Sequence, residues 1–164
     1  CIVRWPGKIP AGTTSDAVIS TLDVLPTFAN LSGAKLPENR VIDGENIWSI
    51  LSGGSNDDLR EAFFYYQMDQ LQAVRSGDWK LFVPLKSKKR NWGKPEGVQQ
   101  LKLFNLANDI HEDSNVADQN PEIVKQLLLY AESARADLGD VGREGSGQRK
   151  AGWVNTPSPR LLKR

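Results

Sequence analysis

Apolar residues along this chain change their spacing twice, and each change marks a different kind of element. From Thr21 to Gly33 the positions Leu22, Leu25, Phe28, Ala29 and Ser32 fall three or four apart, the spacing that lines one face of a helix. Thr21 is placed to cap this helix, Pro26 to lie in or near its first turn, and Gly33 to take the left-handed position past its end. The five spaced positions are its predicted buried face. A short helix over Asn46–Leu51 follows, with Ile47, Ile50 and Leu51 inward. The period then falls to two, and Ala62–Gln67, Leu71–Arg75, Trp79–Val83 and Leu101–Leu106 read as strands. Ser76-Gly77-Asp78 supplies a hairpin turn between the second and third. Helical spacing returns at Asn120-Pro121-Glu122, where a capping Asn, a Pro at the first position and an acidic first turn start a helix that runs to Leu138 and stops at Gly139. Its stripe Ile123, Val124, Leu127, Leu128, Ala131, Ala134 and Leu138 is expected to cover one face of the sheet.

The punctuation between these elements divides the chain. Cys1-Ile2-Val3-Arg4-Trp5 reads as a strand cut by Pro6-Gly7, with Cys1 in a buried strand position. An unpaired strand leaves its N–H and C=O groups without partners, so the expectation is that the chain is the downstream part of a larger protein. Gly53-Gly54-Ser55-Asn56-Asp57-Asp58 is the best internal boundary. Residues 1–52 are expected as the end of one domain, 53–140 as an antiparallel sheet with its helix, and 141–164 as a basic Gly/Pro-rich tail over the surface or disordered. The fold class is an α+β fragment.

Composition narrows the chemistry. The 164 residues are 39% hydrophobic, enough for one core, and the net charge of +1 sets up no global field for nucleic acid or an anionic membrane. No apolar run reaches the roughly 20 residues that span a bilayer. Cys1 is the only cysteine, so neither an internal disulfide nor a cysteine metal site forms. His111 is the only histidine, in Asn108-Asp109-Ile110-His111-Glu112-Asp113; that run lacks the alternating Asp/Asn and central Gly of a calcium loop, and reads as a solvated turn. Neither a Gly-x-Ser-x-Gly elbow nor a phosphate loop occurs, so no catalytic and no metal-ligating residue is assigned. The concentrated charge is Lys86-Ser87-Lys88-Lys89-Arg90-Asn91-Trp92-Gly93-Lys94. Lys88, Lys89, Arg90 and Trp92 are candidates for the mouth of a site that takes anionic substrates; a solvated hairpin extension is the plainer reading. Trp5, Trp48 and Trp79 read as packing residues.

Several segments, in order, resemble the C-terminal part of an arylsulfatase-type sulfatase of the alkaline-phosphatase-like superfamily. They are Ile2-Val3-Arg4-Trp5-Pro6-Gly7-Lys8-Ile9-Pro10-Ala11-Gly12-Thr13, Ser20-Thr21-Leu22-Asp23-Val24-Leu25-Pro26-Thr27-Phe28, Ile42-Asp43-Gly44, Ala73-Val74-Arg75-Ser76-Gly77-Asp78-Trp79-Lys80-Leu81 and Leu103-Phe104-Asn105-Leu106. Asp109-Ile110-His111-Glu112 stands where family members commonly have Asp-Pro-Gly-Glu. The resemblance implies the last strand and helices of an alkaline-phosphatase-like α/β domain, then a small four-stranded antiparallel sheet packed by a C-terminal helix. It implies sulfate ester hydrolysis in the intact enzyme with Ca²⁺ and a formylglycine nucleophile, neither held by this chain, since Cys1 is followed by Ile-Val-Arg rather than x-Pro-x-Arg. Its implied partners are a missing N-terminal catalytic portion and a sulfated small molecule or glycan, with no nucleic acid and no membrane. A periplasmic or extracellular location is implied by the family and is not readable from these residues. The alternatives are a phosphodiesterase or phosphonate hydrolase of the same superfamily, and a stand-alone polyanion-binding module built on Lys86–Lys94.

Overall fold

The computed structural model describes residues 1–55, 57–85, 100–150 and 152–158. The basic run, including Lys88, Lys89, Arg90 and Trp92, lies outside the described residues, as does Asn56 of the expected connector.

The period-two segments form one four-stranded antiparallel sheet in chain order: β1 (Phe63–Gln67), β2 (Gln70–Ser76), β3 (Trp79–Phe82) and β4 (Lys102–Asn105). Ser76 pairs with Trp79 across the two-residue turn Gly77-Asp78, where Gly77 takes φ 52°, a value that glycine adopts without steric cost. A bulge between Tyr65 and Tyr66 leaves Gln72 as the extra residue of β2. Alternation then sorts the side chains. Phe64, Val74, Leu81 and Leu103 form one register row on the inner face, and Phe63, Arg75, Lys80 and Phe104 form the adjacent row on the outer face.

The inner face carries the core. Leu71, Val74, Leu81, Val83 and Leu103 pack with Leu127 and Ala131 of the long helix over Pro121–Leu138. Each large aliphatic buried there contributes about 1.5–3 kcal/mol before entropy is subtracted. Leu138 departs from the expected stripe: it is 36% exposed, because it sits in the last turn, beyond the sheet. Asn120 occupies the cap position but gives the helix no side-chain bond; its Nδ2 donates to the Val116 carbonyl at 3.0 Å instead. Past the helix, the chain folds back over its end. Ser146 N–H donates to the Ala136 carbonyl at 2.9 Å and Gly147 N–H to that of Asp137 at 2.8 Å. Gly145 and Gly147 permit this approach, since a Cβ on either would collide with Asp137.

The N-terminal third departs further from expectation. Ser20, not Thr21, starts the first helix: its side chain accepts from Leu22 N–H, and Asp23 accepts from the Ser20 N–H at 2.7 Å. A 3₁₀ turn over Thr21–Asp23 leads into α1 (Val24–Ser32), which ends at Gly33 with φ 71°. Asp23, Pro26, Thr27 and Ala29 face inward, whereas Leu25 is 55% and Phe28 63% exposed. The predicted buried face is therefore rotated. The polar pair Asp23 and Thr27 wins the inner side because the backbone of 45–47 offers it bonds. Glu45 N–H donates to Asp23 Oδ1 at 2.8 Å, and Ile47 N–H donates to Thr27 Oγ1 at 3.0 Å. The second short helix, α2, spans Trp48–Leu51 and buries Ile50, with Ile47 buried just before it; the long C-terminal helix is α3 (Pro121–Leu138).

Residues 1–5 form no strand, and Cys1 is exposed rather than buried. No strand lies beside them among the described residues, so no ladder can form. Trp5 instead packs against Trp48, ring centroids 5.5 Å apart. No helix among the described residues is long and apolar enough to cross a membrane.

Candidate functional site

The outer face of the sheet brings two cations, Arg75 and Lys80, together with the aromatic side chains of Phe63, Tyr65, Phe82 and Phe104. β2 and β3 place Arg75 directly opposite Lys80. Lys80 is fixed on three sides: its Nζ lies 2.6 Å from Glu112 Oε1, 5.0 Å from the Tyr65 ring centre and 4.6 Å from that of Phe82, arrangements that favour a cation. Phe82 meets Phe104 edge to face at 5.9 Å. Arg75 Nε donates to the Gly77 carbonyl at 2.9 Å, tying this side chain to the hairpin turn.

Glu112 reaches Lys80 from an unusual backbone position, with φ 59°, a region that costs a non-glycine residue energy unless its surroundings hold it. Asp109 holds it. The Asp109 carboxylate accepts from Ser114 N–H at 2.9 Å and Asp113 N–H at 3.1 Å, and these bonds, Ser114's first, keep its carboxyl below the usual range. The segment weighed for calcium is thus a turn whose first carboxylate is committed to its own backbone, with His111 exposed beside it.

Asp23 is the second polar centre. It accepts from Ser20 N–H, from Glu45 N–H and from both terminal nitrogens of Arg60, whose Nη1 also donates to the Val18 carbonyl at 3.1 Å. Burial pushes the Asp23 carboxyl up, but the Arg60, Glu45 and Ser20 bonds outweigh it and leave it below the usual range. Gly44 lies so close to the Leu22 carbonyl that a Cβ would collide with it. The Ile42-Asp43-Gly44 segment is therefore tied to the start of α1 by packing.

Among the described residues, no group of three or more His, Cys, Asp or Glu side chains converges to hold a metal ion. The donor set of the described residues does not fit a resident Ca²⁺, and no step of chemistry is derived through one. Composition pointed to Lys88, Lys89, Arg90 and Trp92, which lie outside the described residues. It did not single out Arg75, Lys80 or Glu112. The available signal was period-two alternation, which puts Arg75 and Lys80 on one face.

With this geometry in view, comparison with known proteins defines the class. A family description, N-sulphoglucosamine sulphohydrolase, C-terminal, matches residues 1–136, and the chain belongs to that sulfatase C-terminal family. Arylsulfatase G of Rattus norvegicus is 34% identical over 167 residues, covering 96% of this chain and 31% of that relative. Steryl-sulfatase of Homo sapiens is 41% identical over 87 residues, covering 49% of the chain and 15% of that protein. Among solved structures, a sulfatase of a Bacteroides thetaiotaomicron locus for the metabolism of multiple glycosaminoglycans shares 30% identity at a TM-score of 0.68. That match covers 82% of this chain and 28% of the other. The chain spans less than a third of the length of the relatives it matches.

Proposed function

We propose that the protein carrying this chain is a sulfuric ester hydrolase of the arylsulfatase type, and that these residues stabilise its catalytic portion and shape its substrate cleft. The family match over residues 1–136 carries this reading. Sulfated small molecules or glycans are the substrate class, in keeping with relatives named for aryl and steryl sulfates and with one from a glycosaminoglycan locus. Ca²⁺ and a formylglycine nucleophile belong to the reading as groups of the whole enzyme, supplying charge neutralisation and the attacking oxygen. This chain's described residues offer neither a metal cluster nor a Cys-x-Pro-x-Arg segment, so its own part is structural.

The partner in this reading is the catalytic portion upstream, and α1 is the seam. Leu22, Leu25 and Phe28 follow helical spacing yet are bare, and a bare apolar stripe of this kind is half of an interface. The Lys86–Lys94 run, with Lys88, Lys89, Arg90 and Trp92, joins the reading as the cleft loop that attracts anionic substrates; its charge and the adjoining aromatic support it. The boundaries 1–52, 53–140 and 141–164 stand as the proposed division of the chain. The test is hydrolysis by the full-length protein of 4-nitrophenyl sulfate against 4-nitrophenyl phosphate and a phosphate diester. Sulfate release is expected; turnover of the phosphorus esters alone would overturn the reading.

A further inference from the structure

Side chains bridge the point at which the sequence divides. Val18, in the stretch before α1, has both backbone groups held from the far side of the connector. Its N–H donates to Asp58 Oδ1 at 2.6 Å, and its carbonyl accepts from Arg60 Nη1 at 3.1 Å. Two side chains two residues apart thus do for Val18 what a neighbouring strand would do. The Arg60 guanidinium also holds the buried Asp23 with both terminal nitrogens, and its Cζ lies 5.9 Å from the ring centre of Phe63, the first residue of β1. Its side chain is only 13% exposed. One group therefore touches the stretch before α1, the start of α1 and the start of the sheet. On the near side, the Gly54 and Ser55 N–H groups both donate to the Ser49 carbonyl, at 2.8 and 3.2 Å. A free Gly/Ser connector of this length would let its ends wander over on the order of 13 Å, and these bonds remove that slack. All of them are made within the chain, whatever surrounds it.

We propose that Arg60 is a positioning residue: it clasps the sheet to the end of the catalytic domain, so that the two are carried as one body with no hinge between them. Three contacts in different directions set an orientation as well as a distance. A planar guanidinium supplies all three, with a fork for the carboxylate, an N–H for the carbonyl and a flat face for the ring. A lysine would supply the charge without the fork. The orientation matters because the Lys86–Lys94 run, the cleft loop of the proposed function, lies in sequence between β3 and β4. The placement of the sheet therefore sets the placement of the loop's two roots. The proposal rests on the sulfatase reading for what is positioned, while the clasp itself stands on the contacts above.

The experiment uses the full-length protein with Arg60→Lys, and with Asp58→Ala as the milder variant because the Asp58 side chain is exposed. Amide hydrogen exchange is followed alongside kcat and KM for 4-nitrophenyl sulfate. In Arg60→Lys, exchange at residues 18–23 and 57–62 is expected to rise by about tenfold or more, with the amides of β2, β3 and α3 exchanging as in the parent. KM is expected to rise by about tenfold and kcat to fall by less, since a displaced cleft wall weakens binding. Asp58→Ala moves both readouts in the same direction by a smaller factor, and it carries the test if Arg60→Lys fails to fold. A purely stabilising role gives a different result: less folded enzyme lowers kcat with KM unchanged, and core amides exchange faster in step with the clasp. That result, or exchange and KM at parent values in both variants, overturns the proposal. If the parent releases no sulfate, the hydrolase reading fails and the exchange pattern alone decides the clasp.

Discussion

Arg60, just before β1, grips Asp23 at the start of α1 with both terminal nitrogens, Nη1 on Oδ2 at 3.2 Å and Nη2 on Oδ1 at 2.5 Å. The pair spans the proposed 52/53 boundary, and the Asp23 side chain is fully buried. Removing one member of a buried pair leaves the other uncompensated, at a cost of about 3–5 kcal/mol. Asp23→Asn is therefore expected to lower stability by about that amount, read from denaturant midpoints at constant m. A loss below roughly 1 kcal/mol would place the pair among surface contacts.

The same carboxylate sets a pH dependence. Its folded-state pKa lies below the unfolded one, so its contribution is fully present above the unfolded value, about 3.9, and is lost as pH falls through the folded value. Stability is expected to drop on acidification below about pH 4. Asp23→Asn should flatten that part of the profile; an unchanged acid limb would assign it to other groups.

On α1, Leu25→Glu and Phe28→Glu separate a seam from a solvent face. Both positions are more than half exposed, so each change should alter the stability of residues 1–164 alone by less than about 0.5 kcal/mol. If the proposed seam holds, the same changes in the full-length protein place a charge against the catalytic portion, and are expected to abolish soluble expression or cut the thermal midpoint sharply. Equal tolerance in both settings would remove α1 from the interface.

Near the end of α3, Tyr66 Oη donates to the Gly139 carbonyl at 2.8 Å across 73 residues. Tyr66→Phe should cost about 0.5–1.5 kcal/mol, the usual net value of such a bond. Gly147→Ala should cost more, since its Cβ would collide with Asp137. Proteolysis near residues 140–148 in Gly147→Ala, absent in the parent, is the readout.

Much of this architecture is legible in the residues themselves, for identifiable reasons. α3 begins at Pro121 and ends at Leu138 as its signals say, because Pro at the first position and Gly139 past the last act locally. The four strands appear within one residue of their expected ends, and their alternation sorts both faces. α1 is rotated from the face its apolar spacing predicts, since that spacing ignores the buried bonds that Asp23 and Thr27 make to residues 45–47. Those bonds join positions about twenty apart, beyond any helical period. The strand over 1–5 needs a neighbour that the described residues do not supply. Arg75 and Lys80 were visible only as parts of a motif; their juxtaposition needed the register.

The most direct measurement compares sulfate release by three preparations: the full-length protein, residues 1–164 alone, and the upstream portion co-expressed with residues 1–164 as a separate chain. The full-length protein is expected to hydrolyse 4-nitrophenyl sulfate, residues 1–164 alone to show none, and co-expression to restore part of the rate. Turnover by purified residues 1–164, or full activity of the upstream portion without them, would refute a chain that completes a catalytic centre it does not contain.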